Sequence, residues 1–198
     1  MTLTRRRARA APAVLFATLL VQPSGLPAAD DALRQYVDET TAASITVATQ
    51  PLIFARERSD LAVNARDYVV LTATEVNITG SRSHFWSAYI WSTIDRRDRE
   101  PVVAPGDELV LVADGRPITL RSDGKTLRDH GLGQPPTRAP SRTAIPVLYA
   151  ADRESISYVA HATELHIELI HGGSNEVFAL WKDGRAALRA FSASVGGG

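Results

Sequence analysis

The stretch that decides the fold is residues 67–94, which read DYVVLTATEV, then NITGSRS, then HFWSAYIWSTI. Both outer parts are rich in β-branched and aromatic residues, and the part between them is rich in turn-forming residues. This pattern predicts a long β-hairpin. Two of the three tryptophans, Trp86 and Trp91, lie in it. The hairpin therefore carries two of the three largest apolar side chains of the chain and is expected to organise its core.

The two faces of this hairpin are both largely apolar. Side chains alternate along a strand, so one face of the first arm carries Val69, Leu71 and Ala73. One face of the second arm carries Trp86, Ala88 and Ile90, and its other face carries Phe85, Ser87, Tyr89 and Trp91. A strand pair with no plainly polar face is expected to be covered on both sides or to expose an aromatic patch. The connection over residues 77–83 is too long to set the register from sequence.

Working outward, the chain shows about ten short apolar segments separated by turn signals, which is typical of an antiparallel β-sandwich or a barrel. Pro117 and Pro146 fall within predicted strands, and proline is confined to sheet edges. Because a closed barrel has no edges, we favour the all-β antiparallel β-sandwich, with the barrel as the alternative. We expect a single β-rich domain over residues 30–194 and a flexible tail over residues 195–198.

A few segments have more specific predictions, including at most one or two short helices. Asp114-Gly115 suits a type I′ turn, and residues 152–162 suit a short helix capped by Asp152. Residues 164–171 alternate, which places Ile167 inward and His166 outward. Residues 30–37 suit one or two helical turns, and Asp183-Gly184 suits a tight turn into a strand over residues 185–191.

The first 29 residues have the three parts of a bacterial secretory signal peptide. Residues 5–9 supply the positive charge, residues 10–21 are apolar, and residues 22–29 end in small residues suited to cleavage after Ala28 or Ala29. The apolar run is shorter than the ~20 residues of a membrane-spanning helix, although an uncleaved anchor is the alternative. Export predicts a periplasmic or secreted protein with no membrane span after cleavage.

Composition excludes several classes of function. The chain has no cysteine, which rules out disulfides, thiolate metal sites and a cysteine nucleophile. Cleavage removes four arginines and leaves 18 basic against 22 acidic residues, a net charge of about −4. A mildly acidic domain is not expected to bind nucleic acid. No phosphate-binding loop, dinucleotide motif or serine elbow is present, so we expect no cofactor and assign no catalytic residue.

The histidines are the strongest candidates for a metal or catalytic site. His166 and Glu168 lie two residues apart, which in a strand puts them on one face about 7 Å apart. His161 and His171 are five residues away on either side and fall on the opposite face. Two ligands are fewer than a zinc site needs, so no metal is predicted. The alternative is an exported hydrolase or metal-binding protein that uses His166 and Glu168, or His130 with loop carboxylates.

Aromatic and arginine residues around the central hairpin are the predicted binding surface. Tyrosine, tryptophan and arginine dominate binding hot spots because they bury large areas and still donate hydrogen bonds. The predicted set is Phe85, Tyr89, Trp91, Arg82, Arg96 and Arg97. The competing interpretation is that the rings fill the core. Residues 122–142 form a long irregular segment, which is expected to be either functional or disordered.

The sequence therefore predicts an exported, non-enzymatic β-sandwich module of the periplasm or cell envelope. Its partner is expected to be a protein, a glycan or another envelope component.

Overall fold

The structure is a computed structural model that describes residues 32–94, 108–142, 144–171 and 174–196. It is mostly antiparallel β-sheet, is not closed into a barrel, and has the predicted sandwich-like all-β architecture. The strands are β1 (Leu33–Val37), β2 (Ser44–Ala48), β3 (Leu52–Glu57), β4 (Arg66–Ile78), β5 (Ser81–Ser92), β6 (Glu108–Ala113), β7 (Arg116–Leu120), β8 (Ile145–Ala151), β9 (Leu165–His171) and β10 (Ser174–Lys182). The helices are α1 (Arg153–His161) and α2 (Arg185–Gly196), with a 3-10 turn at Arg128–His130.

The central hairpin is formed by β4 and β5, which pair along their whole length from Asp67–Ser92 to Ile78–Ser81. The arms are longer than the sequence indicated, because residues 77–78 belong to β4 and residues 81–83 belong to β5. Only Thr79 and Gly80 form the turn, both with positive φ, at 49° and 93°. Two central residues with positive φ match the right-handed twist of the flanking strands. The tight turn therefore sets the register that the sequence left open.

On the edge of β4 that does not pair with β5, two strands pair with β4 one after the other. β3 pairs with its first half and β2 with its second half. Val47 faces Thr74 and Leu52 faces Leu71, so four residues of the β2–β3 corner span a distance that β4 covers with two. This insertion divides the sheet into two branches. One branch continues from β2 to β1, and the other runs from β3 through β10, β9 and β6 to β7.

One face of the sheet, called the helix face below, packs against α1 and α2. The main core contains Leu71 of β4, Trp86 of β5 and Ile167 of β9 together with Val159 of α1 and Phe191 of α2, all with 0% or 1% of their surface exposed. These strand residues belong to the apolar sets that alternation predicted. Burial of aliphatic and aromatic side chains on this face supplies most of the stabilising free energy.

The other face of β1, β2, β4, β5 and β8, called the loop face below, is covered by residues 127–140. A second apolar cluster forms there around Ile45, Val47, Phe85 and Leu132, with Leu148 of β8 at its edge. The central hairpin is therefore covered on both sides, as one of the two sequence alternatives required. The segment over residues 122–142 is irregular apart from its 3-10 turn, and it packs on the sheet.

Two sequence predictions of secondary structure were wrong. Residues 33–37 form β1, not a helical turn, because they pair with β2 from Leu33–Ala48 to Val37–Ser44. Residues 185–196 form helix α2, not a strand. Ala187, Leu188, Phe191 and Val195 lie at helical spacing and are all buried in the main core, which outweighs the short apolar run that resembled a strand.

Several local predictions are confirmed. Asp114 and Gly115 have φ of 46° and 79°, as a type I′ turn requires. Asp152 caps α1 by accepting a hydrogen bond from the Ser155 amide at 2.6 Å. Pro117 lies in β7, the last strand of its branch, and Pro146 lies in β8, which pairs with β5 and with no other described strand.

Within the described ranges, no helix is both long and apolar enough to cross a bilayer. The predicted leader lies outside the described residues. At the other end α2 extends to Gly196 and buries Val195, so these two residues of the predicted tail are helical. Residues 197–198 lie outside the described ranges.

Candidate binding cleft

The long segment between β7 and β8 is held on the loop face by a series of hydrogen bonds. The Thr41 hydroxyl donates to the Gly131 carbonyl at 2.7 Å, and the Tyr89 hydroxyl donates to the Thr137 carbonyl at 2.6 Å. Arg34 donates from Nη2 to the Pro136 carbonyl. These bonds come from β1, the β1–β2 turn and β5. They fix residues 131–137 as a roof over the sheet.

Asp38, in the β1–β2 turn, accepts several hydrogen bonds at the point where the turn meets the roof. Its Oδ2 accepts the Gly133 amide at 2.7 Å, and its Oδ1 accepts the amides of Thr40 and Thr41 at 2.9 and 3.3 Å. These backbone donors, the Gly133 amide first, hold the pKa of the Asp38 carboxyl below its usual range. Asp38 therefore stays ionised and links the β1–β2 turn to the roof.

Two adjoining cavities lie between the roof and the sheet, and together they are called the loop-face cleft. The larger has a volume of about 570 Å³, and it is lined by Arg34, Tyr36, Tyr89, Gln134, Pro135, Pro136, Thr137, Arg138 and Ala139. The smaller, about 390 Å³, has a mainly apolar lining of Arg34, Val47, Ala48, Thr49, Pro51, Ile53, Val70, Thr72, Tyr89, Thr137, Arg138 and Pro140. Each volume is within the range of small-molecule sites.

The electrostatic character of the cleft is positive. Arg34 and Arg138 line both cavities, and the described lining contains no aspartate or glutamate. The Arg34 guanidinium lies 4.9 Å from the centre of the Tyr36 ring. Burial raises the pKa of both Tyr36 and Tyr89, so both phenols are neutral hydrogen-bonding groups at physiological pH.

Of the four predicted binding residues that the structure describes, only Tyr89 lines the cleft. Phe85 is buried in the loop-face cluster beneath the roof, where its ring meets the His130 ring at a centroid distance of 4.8 Å. Trp91 is half-buried and stacks on Tyr68 at 4.6 Å. Arg96 and Arg97 lie outside the described residues.

Arg82 lies beside a carboxylate–imidazole pair that the sequence analysis did not single out. His84 Nε2 lies 3.1 Å from Glu75 Oε2, and the Arg82 guanidinium is 3.9 Å from the same oxygen. Glu75 and His84 are direct cross-strand partners, so the register of the hairpin brings them together. Glu75 is buried, and the Arg82 guanidinium supplies positive charge beside its carboxylate.

His166 and Glu168 share the outer face of β9, opposite the helix face, as alternation predicted. Their side chains are 39% and 31% exposed, the imidazole is 3.4 Å from the carboxylate, and Asn175 donates to Glu168 at 3.1 Å. No cluster of three or more histidine, aspartate or glutamate residues that could hold a metal occurs within the described ranges. The pair lies on an exposed sheet face, away from the two cavities of the cleft.

The other histidines are also dispersed. His130 is 3.1 Å from Asp123, so the hydrolase alternative does find a histidine beside a loop carboxylate. A general base must also reach a nucleophile, however, and the His130 ring instead packs against Phe85. The His161 Nδ1 contacts the Ser157 carbonyl at 2.8 Å on α1.

The sequence analysis missed Arg34, Tyr36 and Arg138 as lining residues. Arg34 and Tyr36 alternate along β1, which would have placed them on one face had that segment been assigned as a strand. Arg138 lies in the long segment for which a functional role was one of two alternatives.

No protein-family profile, curated protein or solved structure matches the chain, so its function has to be inferred from the cleft itself.

Proposed function

We propose that this chain is an exported, non-enzymatic binding module of the bacterial periplasm or cell envelope, and that it holds its ligand in the loop-face cleft. The single observation that carries the proposal is the pair of adjoining cavities beneath a hydrogen-bonded roof. Their volumes suit a small molecule, a sugar or a short segment of a larger envelope component.

The lining favours binding over catalysis. It offers arginine, tyrosine, threonine and glutamine side chains above an apolar floor, which is a recognition set. The described lining contains no histidine, aspartate, glutamate or serine, the side chains that most often act as general acid, base or nucleophile.

The roof makes the cleft a preformed site. Residues 131–137 are tied to Thr41, Asp38 and Tyr89 by hydrogen bonds within the chain. Ordering a loop on binding costs free energy, and a roof that is already ordered avoids that cost.

The proposal is tested by blocking the cleft. Ala139 is exposed and lines the larger cavity, so Ala139→Trp fills the cavity without entering the core. Ala62 is exposed in the β3–β4 connection and lines neither cavity, so Ala62→Trp is the matched control. We expect a small-molecule fraction of an envelope extract to raise the melting temperature of the wild type and Ala62→Trp. The same fraction should leave Ala139→Trp unchanged.

The proposal fails if no fraction stabilises the wild type, or if Ala139→Trp responds as strongly as the control. The metal-binding alternative has a separate test with zinc alone. Zinc would have to raise the melting temperature of the wild type and lose that effect in His166→Ala, because a bound metal stabilises the folded state by mass action.

A further inference from the structure

The four residues that line both cavities mark the junction of the loop-face cleft. They are Arg34, Tyr89, Thr137 and Arg138. A ligand that occupies both cavities has to pass this junction. The side chains of the junction therefore contact the part of the ligand that lies there, which is either its middle or one of its ends, and they determine which chemical group is accepted at that point.

The junction carries two positive charges that no described carboxylate neutralises. Within the described parts of the chain, neither Arg34 nor Arg138 forms an ion pair with a carboxylate. The carboxylate near Tyr36 is Asp38, and both of its oxygens accept backbone N–H groups of the roof and the turn. A guanidinium has five N–H donors, and Arg34 gives one of them to the Pro136 carbonyl.

The position of Arg34 is constrained. Its guanidinium is held between the Pro136 carbonyl and the face of the Tyr36 ring. A guanidinium that is positioned in advance loses little entropy when it binds a carboxylate or phosphate. Charge-assisted hydrogen bonds of this kind are the strong ones in proteins.

The smaller cavity, next to the junction, is lined mainly by apolar side chains and therefore suits an apolar part of the ligand. Its wall is formed by the aliphatic and proline side chains of Val47, Ala48, Pro51, Ile53, Val70 and Pro140. An alkyl or other apolar group fills such a wall favourably, because its burial removes apolar surface from water.

We infer that the ligand is an amphiphilic anion, with a carboxylate or phosphate group between Arg34 and Arg138 and an apolar chain in the smaller cavity. The inference rests on the proposed function of the cleft. The two sources of this chemistry are a free fatty acid, which carries a carboxylate, and a lipid with a phosphate head group.

The test compares three ten-carbon probes, decanoate, decyl phosphate and the uncharged decanol, each below its critical micelle concentration. Binding to the full mature chain is measured by isothermal titration calorimetry. We expect at least one of the two anions to bind about tenfold or more tightly than decanol, as one or two charge-assisted hydrogen bonds imply. The tighter anion identifies the source.

Two charge-removing variants localise the effect. Arg138→Gln removes an exposed charge at the junction, and Arg128→Gln removes an exposed charge of the same segment that lines neither cavity. We expect Arg138→Gln to weaken anion binding about tenfold, to leave decanol binding unchanged, and to reduce the salt dependence of anion binding. Arg128→Gln should match the wild type.

The outcomes separate this inference from the proposed function. If decanol binds as tightly as both anions, the anion inference is wrong, although the chain still binds a small apolar ligand. If no probe binds, the amphiphilic-anion inference is wrong, and the extract experiment decides the proposed function independently. Anion binding that Arg128→Gln weakens as much as Arg138→Gln also overturns the inference.

Discussion

At the residue scale, Asp38 joins parts of the chain that are distant in sequence. Its partner Gly133 lies 95 residues away, and this bond closes the roof on the β1–β2 turn. The carboxylate accepts with both oxygens, so an amide at this position would present an NH₂ group to one of the backbone donors. The ionised form of Asp38 is therefore the form that holds the roof.

Replacing Asp38 by asparagine should lower the melting temperature in a pH-dependent way. The folded-state pKa of Asp38 is lowered, chiefly by the Gly133 amide, so the carboxylate stabilises the fold at pH values above the unfolded pKa, about 3.9. That stabilisation is lost as the pH falls through the lower folded pKa. The difference in melting temperature between wild type and Asp38→Asn should be constant above about pH 5 and shrink below about pH 4. A difference that stays the same down to pH 2 would contradict this role.

Ile167 and His166 test the assignment of faces on β9. Ile167 is completely buried among the core residues, whereas the His166 side chain is 39% exposed. Ile167→Ala should lower the free energy of unfolding by about 2–5 kcal/mol through lost burial and the remaining cavity. His166→Ala should change it by about 0.5 kcal/mol or less, as measured by urea denaturation. Equal losses at the two positions would show that the faces are reversed or that the element is wrong.

The two tryptophans of the hairpin should differ in the same measurement. Trp86 is fully buried on the helix face, and Trp86→Ala should cost about 3–5 kcal/mol of unfolding free energy. Trp91 is half-buried and stacked on Tyr68, so Trp91→Ala should cost less, about 1–3 kcal/mol. Because Trp91 does not line the described cleft, its loss should leave ligand binding intact. A folded Trp91→Ala protein that no longer binds would move the site to the aromatic residues of the hairpin.

At the scale of elements, the approach of α2 to the β2–β3 corner depends on one glycine. A Cβ atom at Gly184 would lie closer than 3.0 Å to the carbonyl oxygens of Gln50 and Pro51. These are backbone atoms that cannot rotate away, unlike the end of a flexible side chain. Asp183, two residues before the helix begins, accepts the Arg185 amide at 2.9 Å, which fixes the chain direction at this contact.

Gly184→Ala should therefore separate α2 from the corner and lower the free energy of unfolding by about 3 kcal/mol or more. Gly115→Ala is the matched control. Gly115 has a φ of 79°, but no atom lies within 4 Å of its added Cβ. Only the backbone strain of about 1–2 kcal/mol applies there. If the two variants are equally stable in urea denaturation, the close contact at Gly184 does not constrain the fold.

At the scale of the whole molecule, the predicted signal peptide implies that the protein is exported and that the peptide is cleaved off. The tripartite pattern of residues 1–29 predicts that the native protein begins near Ala29 or Asp30. Mass spectrometry of the protein from the source cell should find this terminus in the periplasmic or secreted fraction. An intact Met1 or Thr2 in the membrane fraction would support the anchor alternative instead.

Local patterns in the sequence determined the β-rich class, the existence of the central hairpin, the type I′ turn at Asp114-Gly115 and the cap of α1. They succeeded because each depends on residues that are close in the chain. Alternation assigns strand faces, two residues with positive φ define a hairpin turn, and a single carboxylate caps a helix. The inward position of Ile167 followed from the same local rule.

Only the tertiary structure decided which of two local forms Leu33–Val37 and Arg185–Gly196 adopt. Short apolar segments fit a strand or a helix equally well, and the choice depends on what covers them. β1 forms because β2 offers a free edge, and α2 forms because α1 and the sheet bury its apolar side. The cleft, too, was decided only by the tertiary structure. Arg34, Tyr89 and Arg138 come from three distant segments, and no local pattern could show that the fold brings them together.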